Sequence, residues 1–272
     1  MEEKKQKFKT FFIYISIILL ISYILLVYSI WSEIYAVFNK IETYLAILII
    51  FSRMFILCCF TIFLLKRWFK QEAIYTSDAY FLFALFFIIL IFGKGIDLLI
   101  SLIYFSESYN FIYMLIFFKI RYIIITINAI PLLYLGLEVL MSLFDIYIKR
   151  ISKIQFNLIK MSIVSLFLII NSIIILITPN LDGILSVLPI ITTLTMVGII
   201  ILFALMYKIK RLSQAHGMII AFGFFLVIIS HILRPSLTKD FNISMLIIAE
   251  LIDIMLYIII FLGFIKKPPY IK

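Results

Sequence analysis

Long apolar runs follow one another along nearly the whole chain, separated by short polar junctions. A helix crossing the ~30 Å hydrocarbon core needs about 20 apolar residues. The pattern therefore predicts an all-α, polytopic transmembrane bundle of eight helices, at 11–30, 41–65, 79–103, 112–144, 156–177, 184–206, 218–233 and 243–265. A closed barrel is the other spanning solution, but its strands alternate in polarity, and these runs do not. The fourth run exceeds the membrane thickness, which implies an interfacial start or a kink at Pro131. The seventh is the shortest and is expected to end at Arg234-Pro235. The first follows a charged start, as a signal peptide would, yet no small-residue cleavage site follows it, so it reads as a retained helix.

Charge tests this count independently. Lys4, Lys5, Lys7 and Lys9 precede the first run, Lys66, Arg67 and Lys70 follow the second, and Lys149, Arg150, Lys153 and Lys160 surround the fourth junction. Lys208, Lys210 and Arg211 occupy the sixth junction, and Lys266, Lys267 and Lys272 follow the eighth run. The alternate junctions hold only Lys40, Arg234 and Lys239. Basic residues mark the cytoplasmic side, so both termini are expected there, which requires an even number of spans. The formal charge of +10 then reflects topology and contact with anionic headgroups and calls for no nucleic-acid partner. Hydrophobic residues make up 65% of the chain, against the roughly 45–50% usual in soluble domains, and mean hydropathy is +1.24. Junctions are too short for a separate domain, so 1–272 reads as a single integral membrane domain, with the cell membrane as its expected location.

Chemistry rests on the few charges inside the spans. Arg53, Lys94, Lys119 and Arg121 are basic, and Asp97, Glu138, Glu250 and Asp253 are acidic. A charge at a helix centre costs about 2.5–3.5 kcal/mol, so most should face one another or water. At about 1.5 Å rise per residue, all but Glu138 fall between the midplane and the outer surface. Lys94, Asp97 and Ser101 share one helical face, as do Glu250, Asp253 and Tyr257. Lys119 and Arg121, about 200° apart around their helix, cannot both point inward; Arg121 shares its face with Asn128. Gly93 and Gly95 flank Lys94 and allow either close helix approach or a local break. With His231 at the outer end of the seventh span, these residues form a charge cluster that either binds a small polar or anionic ligand or locks helices together. His231 with Glu250 and Asp253 would also suit proton coupling.

Other chemistry is absent from the sequence. Two histidines cannot build a three-His zinc site or span helices around a haem, and no metalloprotease, nucleophile-elbow or phosphate-loop motif occurs. A retinal protein places its Schiff-base lysine in the last helix, where this chain has none before Lys266. Cys58 and Cys59 are adjacent within one run and read as packing residues, and Asn242-Ile243-Ser244 is a glycosylation sequon beside the membrane. No cofactor is implied. The first expectation is a receptor-like or sensory ligand-binding module, which at this length would need a cytoplasmic or membrane protein partner for output. The alternative is a small-molecule or ion transporter with a midplane site between broken helices. A lipid-modifying enzyme using Glu250 and Asp253 as acid and base ranks third, without a nucleophile, metal or histidine to support it.

Overall fold

The computed structural model describes residues 2–106, 111–147, 153–210, 212–238 and 243–271. Lys149, Arg150, Arg211, Lys239, Asn242 and Lys272 lie outside the described residues, as do the side chains of Lys4, Lys7, Lys9, Lys153 and Arg234. The sequence assignments made for them, the sequon among these, have no structural counterpart here.

Among the described residues the fold is all helical: α1 (Glu2–Ser29), α2 (Trp31–Val37), α3 (Ile41–Phe69), α4 (Ala79–Phe105), α5 (Phe111–Tyr147), α6 (Lys153–Ile177), α7 (Leu181–Lys208), α8 (Gly217–Thr238) and α9 (Ile243–Ile265). Six of these, α1, α3, α4, α5, α6 and α9, are long and apolar enough to cross a membrane; α7 and α8 carry shorter apolar stretches, Thr192–Lys208 and Gly217–Leu233. The chain is a multi-pass membrane protein. The short α2 was not foreseen: it fills the first junction and buries Ile34 and Val37. Helix α8 runs on through Pro235, and α5 continues through Pro131. A proline lacks the N–H that the fourth preceding carbonyl needs, so Pro131 deprives Ile127 of its helical partner and Pro189 in α7 does the same to Leu185.

Helices α3, α4, α5, α7, α8 and α9 each pack on the next, and α9 returns to α3, so these six close a ring. The side chains of α4 reach across it: Phe83 stacks on Phe264 of α9 at 3.7 Å, and Phe86 meets Phe224 of α8 edge-on at 5.8 Å. Helix α6 lies against α5, and α1 against α4. Ring closure depends on small residues where helices touch. A Cβ on Gly223 would meet Ile260 Cγ1 at 2.6 Å, and one on Gly263 would meet Ile220 Cγ1 at 2.7 Å, so α8 and α9 approach through two reciprocal notches.

The interior divides along its length. Towards the basic-rich junctions the core is aromatic, built from Trp68, Phe81, Phe83, Phe86, Phe87 and Phe264. Towards the opposite end, Ile50, Ile96, Leu99, Leu102 and Phe117 surround a polar layer. Basic residues near the ends serve neighbouring helices: Lys40 Nζ donates to Phe105 O at the end of α4 (3.1 Å), Lys119 Nζ to Leu176 O at the end of α6 (2.9 Å), and Arg67 to Ile265 O at the end of α9 (3.4 Å). These carbonyls lack intrahelical partners and carry the negative end of the helix dipole. Cys58 and Cys59 are exposed on the outer face of α3 and take no part in the core packing that the sequence suggested.

Candidate functional site

The polar layer centres on Gly93-Lys94-Gly95 in α4, where the helix is unbroken. Consecutive residues turn about 100° around a helix, so these three address three neighbours. A Cβ on Gly93 would press on Ile124 at 3.2 Å and lie 3.9 Å from Arg121 of α5; one on Gly95 would strike Tyr23 of α1 at 2.8 Å. Tyr23 instead donates its hydroxyl to Gly95 O at 3.3 Å. Between them, Lys94 points into the ring.

Lys94 Nζ lies 2.7 Å from Asp97 Oδ2 and 3.7 Å from Glu250 Oε1 of α9. Glu250 Oε2 accepts from Arg53 Nη1 of α3 at 2.5 Å, and the same guanidinium nitrogen reaches Asp253 Oδ2 at 2.7 Å. Ser230 of α8 donates to the other Asp253 oxygen at 2.9 Å, and the Tyr257 ring lies 5.0 Å from the Arg53 guanidinium carbon. At the far side, Arg121 of α5 grips Asp97 with two nitrogens, Nε on Oδ1 and Nη2 on Oδ2, the latter at 3.0 Å. Such two-pronged guanidinium–carboxylate contacts fix orientation as well as supplying attraction. One continuous chain of charge thus runs Arg121–Asp97–Lys94–Glu250–Arg53–Asp253–Ser230 and joins α3, α4, α5, α8 and α9.

Three cations and three anions make this chain neutral. Its burial is uneven. Arg53 and Glu250 are 1% exposed, whereas Arg121 is 19% and Asp97 20% exposed. Arg53 Nε is buried without a partner among the described residues.

The remaining sequence candidates go elsewhere. Lys119 caps α6, which resolves the choice between it and Arg121: of the two, Arg121 joins the ion chain. Asn128 sits apart and lines a pocket between α5 and α7, its Oδ1 buried and without a partner among the described residues. His231 follows Ser230 on α8 and is half-buried. Glu138 pairs with Lys160 of α6, whose ammonium also lies 4.1 Å from the centre of the Tyr134 ring; the sequence displayed both charges without linking them. Ser230 and Tyr23 carried no signal, since a single hydroxyl in a long apolar run is unremarkable by itself. Among the described residues no group of three or more His, Cys, Asp and Glu could hold a metal ion.

At the basic-rich end, His216 precedes α8. Its Nδ1 accepts from Ile219 N at 3.4 Å, and its ring stacks on Tyr207 at 5.0 Å. Burial, with Lys266 adding repulsion, holds its pKa below the usual histidine range. Nearby, Tyr270 donates to Leu212 O at 2.9 Å, and burial pushes its phenol up.

An ionic chain of this kind offers buried charge in a low-dielectric layer and one partly open end. No family model matches the chain, and no curated protein or solved structure matches it.

Proposed function

We propose that the chain crosses the cell membrane eight times with both termini in the cytoplasm, and that its ionic chain is the ligand-responsive latch of a receptor-like sensory module. The graded exposure of that chain carries the reading. The Arg121–Asp97 end is about one-fifth exposed while the Arg53–Glu250 end is sealed. A small polar or anionic ligand entering from the outer surface would compete with Asp97 for Arg121. Asp97 would keep Lys94, 2.7 Å away on the same helix, so the exchange leaves no isolated buried charge, which would otherwise be costly. What changes is the tie between α4 and α5, and with it the position of the basic junction beyond α5 that a cytoplasmic or membrane partner would read.

The reading is tested with Ser101→Cys protein in sealed vesicles, in a background carrying Cys58→Ser and Cys59→Ser because both native thiols are exposed. Ser101 follows Asp97 by one helical turn and donates to its carbonyl at 3.0 Å. Water-soluble thiol reagents added outside should label it, and a panel of small carboxylates and phosphates should contain members that slow labelling. Arg121→Gln should abolish that protection while leaving labelling itself intact. A Ser101→Cys residue inert to external reagents, in folded protein, overturns the ligand-responsive latch.

A transport reading is favoured by a different observation. Proline sits inside both α5 and α7, at Pro131 and Pro189, without breaking either helix, close to the pocket that lies between these helices. A helix that lacks a backbone hydrogen bond beside a midplane site is a point at which a small transporter opens. Substrate-dependent uptake into vesicles, lost when the pocket is filled by Met196→Phe, would favour it over sensing.

A further inference from the structure

The pocket between α5 and α7 is separate from the ionic chain and has its own chemistry. It is a partly open pocket of about 50 Å³, lined by Asn128, Thr126, Thr192 and Thr195, with Phe86 and Phe224 among its apolar walls. Asn128 Oδ1 is buried there without a hydrogen-bond partner among the described residues. Thr126 has committed its proton to Tyr122 O at 3.0 Å, and Thr192 has committed its proton to Pro189 O at 3.0 Å. Their oxygens therefore remain to the pocket as acceptors only. The set is uncharged and rich in oxygen acceptors, with the amide N–H group of Asn128 as a donor beside them.

We propose that this pocket binds a small, uncharged, hydroxyl-bearing molecule that donates a hydrogen bond to Asn128 Oδ1. The hydroxyl follows from the Asn128 amide: its unpaired oxygen keeps its full desolvation cost until a donor reaches it, and a hydroxyl both donates to that oxygen and accepts from the amide N–H. Neutrality follows from the lining, since no acid or base borders the pocket and an ion near the midplane would lack a counter-charge. The volume holds a few water-sized groups, so a small molecule fills it. The aromatic and methionine walls favour a short alcohol, whose hydroxyl meets the amide and whose carbon end meets Phe86 and Phe224. The site does not rest on the sensory reading and stands whether or not Arg121 answers to a ligand.

The test uses the full chain in nanodiscs of perdeuterated lipid, with methanol and ethanol as the probes in saturation-transfer NMR, and protein-free nanodiscs as the baseline. Wild-type protein should transfer saturation to the alcohol in a dose-dependent, saturable way. Asn128→Leu, which keeps the shape and removes the acceptor, should weaken apparent affinity at least ten-fold. Met196→Phe, which keeps the amide and fills the space, should abolish the transfer, so the inference remains testable if Asn128→Leu protein fails to fold. Transfer that is equal in wild type and both variants reports lipid partitioning and overturns the site. So does a long-lived water cross-peak at Asn128 with no alcohol transfer, which would mean that water alone satisfies the amide.

Discussion

Replacing Arg53 with Met asks most directly how the ionic chain is held. Arg53 is 1% exposed and bridges two carboxylates of α9 from α3, at 2.5 and 2.7 Å. Methionine fills similar space without charge. Both carboxylates would lose this guanidinium, Glu250 keeping the Lys94 ammonium at 3.7 Å and Asp253 the Ser230 hydroxyl at 2.9 Å, while the neutral chain acquires one uncompensated negative charge. Removing one member of a buried ion pair costs about 3–5 kcal/mol, because the penalty of the abandoned charge dominates over the net worth of the pair. Arg121→Met should cost only about 1 kcal/mol, since Asp97 keeps Lys94 at 2.7 Å and the partly exposed pair is screened towards the range of surface pairs. Unfolding in mixed micelles at increasing sodium dodecyl sulfate, followed by circular dichroism, measures both. The double variant Arg53→Met/Asp253→Asn restores charge balance and should be more stable than the sum of its single variants allows, by ~1 kcal/mol or more. A cost for Arg53→Met below about 1 kcal/mol, or strict additivity in the double variant, would refute the reasoning.

Three further outcomes are expected. Gly263→Ala should destabilise by about 1–3 kcal/mol, because its Cβ would press on Ile220 Cγ1 at 2.7 Å and on Ile220 N at 3.0 Å; the same unfolding assay measures it, and Gly198→Ala, where a Cβ meets nothing within 4 Å, is the neutral comparison. His216 has a folded pKa below its unfolded value, so its contribution is present above the ordinary histidine pKa and is lost as pH falls below it; unfolding midpoints should drop on acidification from neutral pH, and His216→Asn, a good helix N-cap, should flatten that segment of the profile. Cytoplasm-specific reporters fused before Met1 and after Lys272 should both be active, and opposite results at the two ends would remove one span from the proposed eight.

Much of the architecture was legible because its cause is local. An apolar run long enough to span hydrocarbon is a property of consecutive residues, and the depth of Arg53, Lys94, Asp97, Glu250 and Asp253 follows from counting along their helices. The spacing that puts Glu250, Asp253 and Tyr257 on one face is also the spacing by which all three surround Arg53. Asn128 shows where such counting stops. Its seven-residue separation from Arg121 suggested a shared face, but seven residues advance about 10 Å along the axis and drift about 20° around it, enough to serve a different pocket.

The sequence by itself determined that the chain is helical and membrane-embedded, and that its buried charges must find partners, because hydrocarbon penalises an exposed backbone group or an isolated charge wherever it occurs. Only tertiary structure decided who those partners are. Arg53 and Asp253 stand 200 positions apart, and nothing local joins them. Lys119 and Arg121 differ by two residues, yet one caps α6 and the other grips Asp97, because the closing of the ring fixes which face of α5 meets α4. The glycines on either side of Lys94 likewise acquired their meaning from what approached them, Ile124 on one side and Tyr23 on the other. Pairing and approach are set by the relative placement of whole helices, and that placement is the sum of many packing contacts that no single run of residues contains.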